Sequence, residues 1–288
     1  MNAKASLIIG IICISFSPIF VKLAVAPPIS SAFYRIFVAW LLLAPYAIYK
    51  KQLKIGYHEL WIALLGGVVF GADIAVWNLS LVKISATIST LMANLAPLWV
   101  GLLSFLILRK RSGVLFWTGT WIAIFGMAVL VGYQHIIHLQ FNIGLIYALI
   151  ASLFYALYIM ISKGILRKIS TITFMFYNML GAGFFLLPIC LYRHDALLNF
   201  TTPTWVDLIG MGLICQLMGW ITINYSLKSL EATKVSIALL GQTVLAAFWA
   251  MLLLNEKLEL KEIVGSVIVL TGIALTFLKR NQSNKIVN

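Results

Sequence analysis

Long apolar runs, cut by charge clusters and by proline, glycine and asparagine, divide this chain into ten segments. They run over 5–26, 30–49, 60–82, 84–108, 113–133, 142–163, 171–192, 204–227, 233–254 and 262–279. A helix rising about 1.5 Å per residue needs about 20 residues to cross the hydrocarbon of a bilayer, and each run is near that length. Helices are favoured because each satisfies its own backbone hydrogen bonds where no water can. The pattern predicts an all-α polytopic membrane protein with ten transmembrane helices. Lys4, the apolar run to Val21 and Ala24-Val25-Ala26 imitate a secretory signal. The run exceeds a signal core and proline follows at once, so it is read as the first span.

The same pattern occurs twice. "NLSLVKISATISTL" at 78–91 aligns with "NYSLKSLEATKVSI" at 224–237, an offset of 146. The match continues without a gap to Gly119 and Gly265, Gly126 and Gly272, and Ala128 and Ala274. With an offset of 143, "FYRIFVAWLLLAP" at 33–45 aligns with "FYNMLGAGFFLLP" at 176–188. A five-span unit is thus duplicated, and five being odd, the second copy sits upside down in the membrane. Two units are expected, 5–133 and 142–279, followed by a short cytoplasmic tail, 280–288. Inverted repeats place a solute site near the midplane, where the halves meet and rock.

Charge sets the orientation. With the N-terminus in the cytoplasm, inside segments hold 15 Lys or Arg and outside segments hold 4, namely Lys83, Arg193, Lys257 and Lys261. The positive-inside rule then places both termini in the cytoplasm of a bacterial-type inner membrane. This bias also accounts for the net charge of +13, so no nucleic-acid partner is implied. With 62% hydrophobic and 10% charged residues, the chain has too few polar groups to solvate a surface of this size in water. Cys13, Cys190 and Cys215 lie in apolar runs without metal-ligand spacing, so neither a disulfide framework nor a zinc site is expected.

The repeated unit resembles the EamA-type members of the drug/metabolite transporter superfamily. The resemblance rests on "FYRIFVAWLLL" in the second segment, "ADIAVWNLSLVKISATISTLMANLAPLWVGLLSFLIL" across the third and fourth, and "NYSLKSLEATKVSIALLGQTVLAAFWAMLLLNEKL" across the eighth and ninth. It covers nearly the whole chain. It implies a ten-span inner-membrane carrier, usually an exporter of amino acids, metabolites or toxic small molecules. The family often closes the fourth span with an acid, where this chain has Arg109-Lys110. Glu256 keeps the acid of the second half, Pro97 keeps the proline of the fourth span, and Thr243 replaces that of the ninth.

Polar residues at mid-depth are the candidate site. Asp73, Asn94, Gln216 and Gln242 fall near the centres of their segments, and Asn178 lies slightly off-centre. Burying them in lipid is costly, so they are expected to face the bundle interior or a watery cavity. Three small-or-polar stripes follow helical spacing: Thr87, Thr90, Asn94, Pro97 and Gly101; Asp73, Trp77 and Ser80; Gly212, Gln216 and Gly219. Such stripes serve either a cavity or close helix packing. Asp73 is the only acid of eight that lies deep in a segment. It is suited to a cationic substrate group or to a coupling proton, and a structural hydrogen bond is the competing role. Arg35 is suited to a substrate carboxylate, or to fixing the bundle. Lys22, at similar depth, reads as structural, and Asn178 is the counterpart of Arg35 in the second half.

Trp77, Tyr155, Tyr158 and Trp220 are placed to stack on a flat solute, with packing as the competing role. Trp40, Trp61, Trp117 and Trp205 read as belt or packing residues. "GVVFG" at 67–71 reads as packing within one subunit. Pro18 and Pro97 should interrupt the first and fourth spans. His58, His135, His138 and His194 fall in loops, and the chain carries no HExxH, no Ser/His/Asp constellation and no Walker A motif. The expected partners are a small-molecule substrate, the bilayer and, for coupling, protons. No cofactor, no metal and no catalysis are expected. A membrane-embedded enzyme acting on hydrophobic substrates, and a channel or scaffold, are the alternatives.

Overall fold

The computed structural model describes residues 2–84, 89, 92–109, 112–131, 143–254 and 260–277. Among them all regular structure is helical. The order is α1 (Ala3–Ser15), α2 (Ser17–Leu23), α3 (Pro28–Tyr49), α4 (Tyr57–Lys83), α5 (Ala96–Leu108), α6 (Val114–Val131), α7 (Ile143–Ile165), α8 (Thr171–Tyr192) and α9 (Thr202–Gly210). A π-helical stretch, Met211–Gly219, continues α9 into α10 (Trp220–Ser229). Then come α11 (Ala232–Ala238), α12 (Gly241–Leu254) and α13 (Leu260–Phe277).

Local chemistry starts and stops these helices. Asn2 caps α1 by accepting from the Lys4 amide at 3.0 Å, and Ser170 caps α8 by accepting from Thr173 at 3.1 Å. Pro28 and Pro203 sit in first turns, where a missing amide costs nothing. Pro45 and Pro188, paired by the repeat, each lie four residues before the end of their helices, α3 and α8. Arg109 closes α5 in the left-handed conformation, with φ of 51°.

Seven helical stretches are long and apolar enough to cross a membrane: Ala3–Val21, Pro28–Tyr49, Tyr57–Lys83, Ile143–Ile165, Thr171–Tyr192, Thr202–Ser229 and Ala232–Leu253. Shorter apolar helices cover Ala96–Leu106, Val114–Leu130 and Ile263–Phe277. Together they make the chain a polytopic membrane protein. Lipid-facing side chains such as Leu41, Trp121, Phe125 and Val267 are exposed.

Close packing depends on glycine. A methyl group on Gly67 would come within 1.9 Å of the Asn178 carbonyl, and one on Gly181 within 2.4 Å of the Leu64 carbonyl. The GVVFG stretch of α4 therefore packs inside the subunit, against α8. On α6 and α13, a methyl on Gly119 would meet Thr276 at 2.5 Å, and one on Gly126 would meet the Val269 amide at 2.6 Å. A methyl on Gly272 would meet the Ala123 amide at 2.6 Å, and one on Gly265 the Leu130 amide at 2.4 Å. As numbers rise along α6 they fall along α13, so the pair is antiparallel. The 146-residue offset of the repeat converts the first contact into the fourth, and the second into the third.

Helix pairings match in the same way. α4 packs on α7 and on α8, while the π stretch with α10 packs on α1 and, through its π part, on α3. α5 packs on α7, and α12 on α1.

Two substitutions separate close approach from helix propensity. Gly67→Val should destabilise the protein by about 1–3 kcal/mol, because the α4–α8 backbones must part. Gly183 on α8 faces open space, with nothing within 4 Å of an added methyl. Gly183→Ala should be neutral or stabilise by up to about 1 kcal/mol. Thermal unfolding of both variants in detergent checks the contrast.

Candidate functional site

Arg35 enters the bundle from the second turn of α3. It is only 7% exposed. Its Nε donates to Gln216 Oε1 at 3.1 Å and its Nη1 donates to Ser17 Oγ at 3.0 Å. Both acceptors come from irregular helix. The first span is broken at Phe16, between α1 and α2, which brings buried Ser17 to the guanidinium. Pro18 follows inside the first turn of α2, where proline is tolerated. Gln216 sits in the π stretch, whose wider turn presents it to α3. Such stretches are rare and are often found at functional sites. Gly212 lets this stretch approach: a methyl there would meet Val38 at 2.8 Å and the Arg35 carbonyl at 3.3 Å.

Asp73 lies on α4, half-buried, within electrostatic reach of Arg35, Tyr155 and Tyr158. Among the described residues its carboxylate has neither a hydrogen-bond partner nor an ion pair within 4.0 Å. Trp77, one turn on, is also half-buried, and buried Ser80 donates back to the Trp77 carbonyl at 2.7 Å. Tyr158 is fully buried. It receives a hydrogen bond from Asn224 Nδ2 at 2.8 Å and packs against Phe70 and Trp220, ring centroids 4.5 and 5.1 Å away. Tyr155 is half-buried and meets the Trp220 edge at 5.9 Å. Tyr158 and Trp220 are buried, whereas Tyr155 and Trp77 each keep part of their surface exposed.

Asn94 and Gln242 meet. Asn94 Nδ2 donates to Thr243 Oγ1 at 3.0 Å, and Gln242 Nε2 donates to Asn94 Oδ1 at 3.4 Å. They join two breaks. The fourth segment turns at Asn94-Leu95 before α5, where Pro97 sits in the first turn. The ninth turns at Leu239-Leu240 between α11 and α12. The two turns lie within one residue of the positions that the repeat relates. No proline marks the second, and sequence inspection missed it. A run of i→i+3 bonds, Gln242 to Leu239 and Thr243 to Leu240 at 3.1 Å each, replaces the α-helical pattern there.

Asn178, the counterpart of Arg35, is fully buried against Gly66 and has no hydrogen-bond partner among the described residues. The Gly212 and Gly219 stripe packs on α3 and α1, flanking Gln216. Gly101 packs on Phe116 and Trp117. Thr87, Thr90, His135, His138 and Glu256 lie outside the described residues, and so does the side chain of Lys22.

Sequence inspection also missed Ser15 and Ser17. Trp249 of α12 stacks on Phe16 at 4.4 Å and donates its indole N–H to Ser15 at 2.8 Å. Trp99 of α5 donates likewise to Ser152 of α7 at 2.8 Å. Each serine in turn donates to the carbonyl three residues earlier, Ile12 or Leu149. The usable signal was a buried serine facing a mid-span tryptophan across the two halves.

These buried charges and paired broken helices meet a clear set of relatives. The model of the EamA-like transporter family matches residues 3–132 and again 142–278. The chain belongs to this family. The protein is similar to the uncharacterized transporter YdfC of Bacillus subtilis, 22% identical over 98% of this chain and 92% of that one. An uncharacterized transporter of Archaeoglobus fulgidus is 28% identical over 93% of this chain and 95% of its own. The S-adenosylmethionine uptake transporter of Rickettsia prowazekii is 22% identical over 83% and 79%. A solved crystal structure shares the fold with a TM-score of 0.81 over 96% of both chains, at 14% identity. The EamA chain is therefore a membrane transporter.

The buried Tyr158–Asn224 bond yields a prediction. Tyr158→Phe removes one acceptor of the buried Asn224 amide, which keeps the Trp220 carbonyl at 2.9 Å and the Met175 sulfur at 3.1 Å. Thermal unfolding should show a loss of about 0.5–1.5 kcal/mol, the net contribution of one hydrogen bond. If Tyr158 touches solute directly, the affinity for a transported solute will fall as well.

Proposed function

We propose that this transporter is a secondary-active carrier of ten crossings, arranged as two inverted halves, 5–133 and 142–279, with both termini cytoplasmic. It moves a small metabolite, amino acid or drug-like solute across the inner membrane by alternating access, in the direction of export. The observation that carries this reading is the meeting of two broken helices, joined through Asn94, Gln242 and Thr243 at repeat-related positions. Broken helices at a repeat interface border the solute sites of inverted-repeat carriers, because freed backbone groups can then serve a ligand. The symmetric α6–α13 contacts and the matched helix pairings support the inverted arrangement. A half-buried Asp73 without a direct partner is the group best placed to meet solute or proton.

The relative named for S-adenosylmethionine uptake bears on direction. A carrier without its own energy source runs either way, so export and uptake differ in the gradient applied and not in the fold.

Reconstituted into proteoliposomes, the protein should show counterflow of at least one solute from a metabolite panel, with and without an imposed pH gradient. An enzyme or scaffold would show none. Asp73→Asn should lower the transport rate by about tenfold or more, or abolish its dependence on pH, because the amide neither titrates nor holds a cation. Wild-type rate and wild-type pH dependence in that variant would remove Asp73 from both roles.

A further inference from the structure

Two connections on one face of the molecule, α3–α4 and α7–α8, come from opposite halves and are stapled together. Ser170 Oγ donates to Gln52 Oε1 at 2.6 Å, Thr173 Oγ1 donates to the Gln52 carbonyl at 2.7 Å, and the Tyr177 hydroxyl donates to the Leu53 carbonyl at 2.8 Å. Lys168 adds an ion pair with Glu59 at 3.6 Å. These staples gather Lys50, Lys51, Lys54, Arg167 and Lys168 on one ledge, and all five are exposed. Glu59 is the only acid within 50–59 and 164–173.

The duplication supplies an internal control. Shifted by 143, Lys50, Lys51 and Lys54 become Arg193, His194 and Leu197, while Arg167 and Lys168 become Ala24 and Val25. The backbone is built alike in both places. Lys51 and His194 are left-handed, with φ of 53° and 54°. The next amides close the turn in the same way, Gln52 on the Ala47 carbonyl at 2.9 Å and Asp195 on the Cys190 carbonyl at 3.0 Å. Tyr34, the counterpart of Tyr177, donates to the Leu197 carbonyl. Yet the cation of that second turn, Arg193, is paired with Asp195 at 3.3 Å. The turn and its tyrosine staple therefore do not require the charge. Orientation in the membrane does not require the ledge either, since it depends on how many cations a connection carries and not on joining two connections. Five cations against one acid repel one another, so a ledge that gathers them is suited to an anion.

The surroundings select which anion. Lys50 lies 5.5 Å over the Tyr49 ring, and Tyr57 and Trp61 pack edge to face with ring centroids 6.1 Å apart. Tyr49, Tyr57 and Trp61 are exposed, as are Ile48 and Leu65 on the same helices, α3 and α4. Aromatic groups so placed lie at headgroup level. A soluble anion meets only the charged part of this surface, whereas a phospholipid covers both parts.

We propose that the ledge is a binding site for an anionic phospholipid. Its phosphate is shared between the Lys50–Lys54 connection and Arg167-Lys168, and its acyl chains lie along α3 and α4. The lipid thereby joins the two halves at this face. A zwitterionic phospholipid brings its own cation to the ledge and binds more weakly.

The test titrates the purified full chain in detergent with phosphatidylglycerol, with phosphatidylcholine of the same acyl chains, and with glycerol 3-phosphate. Binding is read as concentration-dependent thermal stabilisation. Phosphatidylglycerol should act at a concentration at least about tenfold lower than phosphatidylcholine, and glycerol 3-phosphate should give no stabilisation in that range. Lys54→Gln combined with Arg167→Gln leaves three cations in place and should weaken phosphatidylglycerol by about tenfold or more. Lys4→Gln combined with Lys234→Gln removes the same charge from α1 and α11, and should change it by less than about twofold. Variants are compared only when they elute as monodisperse protein with a cooperative unfolding transition.

Equal weakening in the two double variants overturns the proposal, because diffuse attraction to positive charge then suffices. Equal stabilisation by phosphatidylcholine overturns it as well. Stabilisation by glycerol 3-phosphate at the same concentration as phosphatidylglycerol makes the ligand a soluble anion and overturns the lipid. None of these outcomes bears on counterflow, so the carrier reading stands or falls separately.

Discussion

A guanidinium sealed inside a membrane bundle must be solvated by the protein itself, because hydrocarbon offers it nothing. Arg35 meets this need with two oxygens from places where helix is irregular. The first span breaks at Phe16 and turns Ser17 inward. The eighth widens into a π stretch and turns Gln216 inward. Gly212 and Gly219 then let that stretch lie against α3 and α1. Asn178, in the matching place on α8, shows the contrast: it lies against Gly66 and Gly67 of α4, a helix that runs on without a break.

The two halves share a scaffold and differ in chemistry. Packing glycines, paired prolines, broken fourth and ninth segments and the Trp–Ser contacts appear in both. Charge appears in one. Arg35 faces Asn178 across the repeat, Asp73 faces Gly219, and Asn94 faces Leu240. A duplicated frame makes two similar halves, and substitutions in one of them place the deep charges in that half alone.

Much of this was legible in the residues. Apolar run lengths indicated the helices, since crossing hydrocarbon fixes length and leaves composition little freedom. The repeat was visible because glycines at close contacts tolerate no side chain. Asp73 and Arg35 stood out because charge is rare at that depth. What was not legible depends on geometry beyond one helix. The break at Leu239-Leu240 has no proline, so only its facing partner Asn94 explains it. The π stretch reads as ordinary helix, because a change of a fraction of a residue per turn leaves no mark in composition. For Tyr158, placed either to stack on a solute or to pack, the residues alone did not show that it is fully buried with its hydroxyl accepting from Asn224.

The contacts between α6 and α13 have a property that the central ones lack. Shifting each number by the repeat offset returns the same set, so this interface is its own image. Contacts such as Arg35–Gln216 have an image elsewhere, at Asn178 and Phe70. When the halves of such a molecule trade conformations, an interface that maps onto itself is left as it was. Under the proposed alternating access, the glycine seam between α6 and α13 keeps the same contacts and serves as a fixed reference, while contacts nearer the charges exchange with their images.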